Sequence, residues 1–145
     1  MKSVLLAVAI ATLGIQEQAP RAIDLLEESG HRYEKAGNGW AVQFNGNNIK
    51  EIRVIVVPAG ELIVLGAVLA TRPEIADHAG LQEALLRAND DYDYVKTTID
   101  NDGDYSIRID LLAVGLNGKR LAEQLVQIAT ATDLLKPVVD KFRKK

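Results

Sequence analysis

The chain has 145 residues, of which 48% are apolar, 26% charged and only 5% aromatic, and it carries a net charge of −3. That length and apolar content are enough for one domain with a core of Leu, Ile, Val and Ala, and they exclude long disorder. The acidic balance argues against binding nucleic acid by phosphate neutralisation, and the absence of cysteine excludes disulfides, thiolate zinc sites and thiol nucleophiles.

Taken in chain order, Met1 and Lys2 precede an uncharged run over residues 4–15 that is apolar on every side. It is too short to span a membrane and lacks the polar interruptions of a surface helix, but it suits the apolar part of a secretory signal. Thr12-Leu13-Gly14 offers a small-residue cleavage pattern. Residues 1–19 are therefore read as a signal peptide and residues 20–145 as a single domain, periplasmic or secreted and with no membrane span after processing. If the segment is retained, the expected compartment is the cytoplasm.

Pro20 suits the first turn of a short helix whose Ile23, Leu25 and Leu26 share a face until Ser29-Gly30 ends it. Tyr33 and residues 40–44 lie in two extended runs joined by the tight turn Gly37-Asn38-Gly39, and Asn45-Gly46-Asn47-Asn48 turns the chain again. Residues 51–57 and 61–70 are rich in β-branched side chains and form a long hairpin around the loop Pro58-Ala59-Gly60. In its second arm Leu62, Ile63, Val64 and Leu65 are consecutive apolar residues, so both faces of that strand need cover. Helices can supply one side. The other requires a partner, a second copy of the chain or the N-terminal segment. Partner binding is accordingly expected at Val64, Gly66 and Val68 on one face, or at Ile63, Leu65 and Ala67 on the other.

Pro73 marks a second helical region with Leu81, Ala84, Leu85 and Ala88 at helical spacing, closed by Asn89-Asp90-Asp91. Residues 94–99 and 105–111 are strands around the turn Asn101-Asp102-Gly103-Asp104. In the second, Tyr105, Ile107, Ile109 and Leu111 share one face and Ser106, Arg108 and Asp110 the other. Leu121, Leu125, Ile128, Thr132 and Leu135 trace a last helix, entered through Asn117-Gly118 and broken or kinked at Pro137. Lys141, Arg143, Lys144 and Lys145 then stand as cations at its carbonyl end.

The candidate chemistry is thin. Asp100, Asp102 and Asp104 alternate as calcium ligands do, yet Tyr105 stands where such a loop needs Gly and Leu111 where it needs Glu, which leaves a hairpin turn. Gly115-Leu116-Asn117-Gly118, followed by Lys119 and Arg120, is similar to the loop of KH-type RNA-binding domains, but a period-two strand leads into it, so it reads as a strand-to-helix connection. His31 and His78 lack partners at metal-binding spacing and read as surface or turn residues. No catalytic, metal or cofactor-binding residue is nominated, and the chain is expected to act without a cofactor and not as an enzyme. The alternatives are a cation-dependent carboxylate enzyme built on Asp93, Asp100, Asp102 and Asp104, or a small-ligand sensor with Trp40 or Tyr94 lining a pocket. A Trp packed into the sheet is the simpler reading of Trp40.

Several strings in this order look like a known family: Leu25-Leu26-Glu27-Glu28-Ser29-Gly30 followed by Tyr33-Glu34, the turn into Trp40, the apolar strand 62–69, the helix 81–89, and Asp93-Tyr94-Val95-Lys96 leading into the acidic hairpin. Over residues 20–142 the chain resembles the YbjN-type family, named for a bacterial sensory transduction regulator and similar in fold to type III secretion chaperones. The resemblance implies an α+β fold with helices packed on an antiparallel sheet, in the order α-β-β-β-β-α-β-β-α. It also implies a protein-binding, chaperone-like or regulatory role as a homodimer, acting through apolar sheet-face and strand-edge contacts. An export signal sits poorly with guarding effectors inside the cytoplasm.

Overall fold

A computed structural model describes residues 21–145, so the expected signal segment 1–19 and Pro20 lie outside the described residues. The elements are α1 (Ala22–Ser29), β1 (Tyr33–Ala36), β2 (Gly39–Phe44), β3 (Ile52–Ala59), β4 (Leu62–Ala70), α2 (His78–Asp91), β5 (Lys96–Ile99), β6 (Tyr105–Leu112) and α3 (Gly118–Asp140). This is the expected order. All six strands form one antiparallel sheet in the order β1-β2-β3-β4-β6-β5. Only the crossover through α2 departs from a simple meander, and it seats β6 beside β4 with β5 at the edge. Gly37, in the left-handed region at φ 57, closes the first hairpin.

Strand alternation builds the core. Val54 and Val56 of β3, Ile63, Leu65 and Ala67 of β4, and Tyr105, Ile107, Ile109 and Leu111 of β6 are all buried beneath the helices. The expected stripe of α3, Leu121, Leu125, Ile128, Thr132 and Leu135, is buried against them. Apart from Thr132, these residues make one continuous core with Leu25 and Leu26 of α1 and Leu81 and Leu85 of α2. At Gly118 the start of α3 touches α1: a β-carbon there would collide with Glu28 Cβ, and the Gly118 N–H donates to Glu28 Oε2 at 3.1 Å. Helix contact thus accounts for the second glycine of the KH-like string.

Four expectations are corrected. Pro137 neither ends nor breaks α3, which runs on to Asp140. A proline leaves the carbonyl four residues earlier without its helical donor; here that carbonyl belongs to Asp133, and Asn48 Nδ2 supplies a bond at 3.1 Å. Pro73 belongs to a 3-10 turn, Arg72–Glu74, closed by a capping box between Thr71 and Glu74, while α2 starts only at His78, capped by the Asp77 side chain. The strand expected from residue 94 starts at Lys96, because Tyr94 takes φ 63, which a strand cannot hold. Pro58 and Ala59 lie within β3, beyond the last β2 pair at Val56, so β3 borders only β4 there, an edge position that tolerates proline.

The basic tail also differs from expectation. Arg143 does not sit over the last carbonyls of α3 but reaches to Glu74 Oε1 at 2.6 Å, Asp140 Oδ1 at 3.0 Å and the Leu69 carbonyl at 3.1 Å. It ties the C-terminus to the end of β4.

Candidate interaction face

The strands that fill the core send their alternate side chains to the opposite face, which none of the helices among the described residues covers. On that face β3 presents Arg53, Ile55 and Val57, β4 presents Leu62, Val64, Gly66 and Val68, and β6 presents Ser106, Arg108, Asp110 and Leu112. The register sets Val57 opposite Val64, and Ile55 opposite Gly66. It also sets Leu62 opposite Leu112, Val64 opposite Asp110, and Gly66 opposite Arg108. Ile55, Val57, Leu62 and Val64 are half-buried, whereas Val68 is 64% and Leu112 67% exposed. A depression of 560 Å³ runs over Ile55, Val57, Val64, Gly66 and Val68.

Charged pairs flank this apolar strip. Towards β1, Arg53 meets Glu34 at 3.2 Å; towards β5, the Asp110 carboxylate accepts from Arg108 Nε at 2.5 Å and from Lys96 Nζ. Partial burial pushes the Asp110 carboxyl up, but the two cations outweigh it and hold the group below its ordinary value. Such exposed pairs contribute about 0–1 kcal/mol each. Their larger effect is to hold these charges to one another at the rim, with one cation in excess at Asp110, so that the strip between them is a surface for non-directional apolar contact.

The six residues expected to bind a partner divide cleanly. Val64, Gly66 and Val68 lie on the helix-free face. Ile63, Leu65 and Ala67, at 2%, 0% and 4% exposure, are buried in the core on the helix side. Ile55, Val57, Leu62 and Leu112 join the face and escaped the sequence reading. A two-residue turn at Gly60-Glu61 would have set Val57 against Val64 and Ile55 against Gly66; taking Pro58 and Ala59 as loop residues hid that register.

The sheet edges are guarded. On β5 the Thr97 N–H donates to Asn89 Oδ1 at 2.7 Å, which closes part of that edge. On β1 the charged Glu34 and Lys35 occupy the edge, and Lys35 Nζ lies 4.3 Å from the centre of the Trp40 ring.

The other candidate residues are tied into local structure. Asp100 Oδ1 accepts from the N–H groups of Asp102 and Asp104, both at 2.9 Å, and Asp104 Oδ1 accepts from the Arg72 N–H at 2.7 Å. Among the described residues, no group of three or more His, Cys, Asp or Glu side chains is placed to hold a metal. His78 is more than a surface residue: its ring stacks on Tyr105, with Nδ1 2.8 Å from the buried phenol oxygen. Tyr94 stands 74% exposed in the α2–β5 loop, and Trp40 lies half-buried on the helix side of β2 under Lys35.

Solved structures share this architecture. The chain is similar to E. coli YbjN, described as a putative transcription regulator, with TM-score 0.58, 15% identity and 83% of this chain covering 91% of that one. It is also similar to the Yersinia pestis type III secretion chaperone SycH, solved with a stable fragment of YscM2, with TM-score 0.50, 20% identity and coverage of 81% and 92%. A third match is the ExsC–ExsE complex, with TM-score 0.52, 12% identity and coverage of 68% and 75%. These likenesses show that the fold is that of the type III secretion chaperones. No curated protein matches the sequence. Among the described residues no helix is long and apolar enough to cross a membrane. The model of the family described as "Putative bacterial sensory transduction regulator" matches residues 17–141, nearly the whole chain, and the protein belongs to this YbjN family.

Proposed function

We propose that this chain is a protein-binding module, chaperone-like or regulatory, that engages its partner through the helix-free face of the sheet. The observation that carries this reading is the strip formed by Ile55, Val57, Leu62, Val64 and Val68: apolar, at the centre of the sheet, bare of the described helices, and flanked by the ion pairs of Arg53 with Glu34 and of Asp110 with Arg108. An apolar surface of this kind on a folded domain is usually kept for contact with another protein. Two solved structures of the same fold contain a bound protein, YscM2 with SycH and ExsE with ExsC, which supports the class of partner without identifying it. The working form is a dimer, and the place of action is the cell envelope once residues 1–19 have been removed.

A charge placed on the strip tests this. Val64 is half-buried on the outer face and lies opposite Asp110, so Val64→Asp should cost about 1–2 kcal/mol of stability while leaving the core untouched. Used as baits in envelope extract, wild type and Val64→Asp should recover different proteins, with at least one captured by the wild type and lost from the variant. Identical recovery by two baits that circular dichroism shows to be folded refutes the reading.

A further inference from the structure

The loop that leads from β6 into α3 departs from two local rules at once. Ala113 and Leu116, both buried, close a four-residue turn through the Leu116 N–H to the Ala113 carbonyl at 3.1 Å, with Gly115 at φ 75 in its third position. That turn holds Val114 at its tip, where a polar side chain or a proline is usual, and Val114 is 52% exposed. Beside it Leu112, at the end of β6, is 67% exposed. The second departure is electrostatic. The first turn of α3 carries Lys119 and Arg120 and no acid, although the amide end of a helix favours anions and repels cations. Both are exposed, and neither enters an ion pair among the described residues. Contact with α1 accounts for Gly118; it leaves Leu112, Val114, Lys119 and Arg120 unaccounted for.

The two departures share one surface. Leu112, Val114 and Arg120 border the same depression of 230 Å³, so a cation stands beside the exposed aliphatic pair. The lining has no aromatic side chain on which a base could stack, and two side chains fall far short of the roughly 800 Å² that each side of a stable protein interface buries. A lipid bilayer demands neither. We infer that this tip docks on an anionic lipid surface, with Leu112 and Val114 entering the acyl boundary and Lys119 and Arg120 meeting the headgroup phosphates; apolar and cationic contacts together give the two signals that stable attachment needs. The nearby acids leave room for this. Glu28 is engaged by the Gly118 N–H, and Glu123 lies a turn further along α3. Glu61, whose carbonyl accepts from the Ala113 N–H, is the one acid beside the tip, so the tip carries a positive charge in excess on a chain whose net charge is −3. This surface is distinct from the strip proposed to bind protein, which it meets only at Leu112.

Sedimentation of the full chain with lipid vesicles tests this. In about 0.1 M salt the wild type should bind vesicles of phosphatidylcholine mixed with phosphatidylglycerol, and bind vesicles of phosphatidylcholine alone at least about tenfold more weakly. Val114→Ser removes one aliphatic anchor, and Lys119→Gln with Arg120→Gln removes the cations. Each should weaken binding to the mixed vesicles about tenfold or more, and the second should also lose most of the preference for them. All of these positions are exposed, and circular dichroism establishes that the variants fold; where one does not, Leu112→Ser or Arg120→Gln alone takes its place. A wild type that stays in the supernatant with the mixed vesicles overturns the inference whatever the variants do. So does binding that the folded variants retain undiminished, because the lipid is then held elsewhere on the chain, for example by the apolar run 4–15. If Val114→Ser keeps its lipid but, as a bait in envelope extract, loses a protein that the wild type captures, the tip is a protein contact and the inference falls.

Discussion

Replacing Asp133 by Asn should lower the melting midpoint by about 5–10 °C and leave the described fold otherwise intact. Asp133, 7% exposed, is one of the few buried polar residues, and its carboxylate accepts from the N–H groups of Asn47, Asn48 and Ile49 at 3.0, 2.8 and 2.8 Å. The β2–β3 turn is thereby pinned to α3, and Asn48 Nδ2 returns a bond to the carbonyl that Pro137 leaves free. An Asn at position 133 removes the charge that strengthens these bonds and turns an amide N–H₂ toward one of the donors. Burial pushes the Asp133 carboxyl up, but the Ile49, Asn48 and Asn47 amides outweigh it and hold the group below its ordinary value. A depressed folded-state value means that the contribution is present above the ordinary carboxylate range and is lost as pH falls through the folded value. The midpoints of wild type and Asp133→Asn should therefore differ most near neutrality and converge in acid. A difference that grows on acidification would show that the latch does not depend on the carboxylate.

That latch was invisible in the sequence, and the reason is physical. Asn47 and Asp133 lie 86 residues apart, so neither the turn signal at Asn45-Gly46-Asn47-Asn48 nor the proline rule applied to Pro137 could reveal that each resolves the other's unpaired groups. What depends on short-range periodicity was legible: the alternation of Tyr105, Ile107, Ile109 and Leu111, the stripe of α3, and the unbroken apolar run of residues 62–65 in a strand. The last of these located the candidate site but not its orientation. Choosing between Val64, Gly66 and Val68 and their neighbours Ile63, Leu65 and Ala67 requires knowing on which side the helices pack, and that is fixed by contacts such as Gly118 against Glu28 and Thr97 Oγ1 to the Leu85 carbonyl. Tyr94 illustrates the opposite failure. Its β propensity argued for a strand, and a left-handed backbone overrode it.

Adjacent residues of β4 should respond to truncation in opposite ways. Leu65 is fully buried, with 0% exposure, beneath the helices, so Leu65→Ala leaves a cavity and should cost about 2–5 kcal/mol of stability. Val64 points to the bare face and loses only partial cover, so Val64→Ala should cost less than about 1 kcal/mol. Association should rank the other way. Val64→Ala removes part of the strip that meets the partner and should weaken binding about tenfold, the equivalent of about 1.4 kcal/mol, whereas folded Leu65→Ala keeps the whole outer face and should bind almost as the wild type does. Urea unfolding gives the first ranking, and sedimentation or capture below the unfolding transition gives the second. Two inversely ordered lists, from side chains one residue apart, would be hard to reconcile with a sheet whose outer face is inert. If Val64→Ala leaves association untouched while Leu65→Ala abolishes it in the folded state, the partner is held from the helix side, and the proposed face is not the one this protein uses.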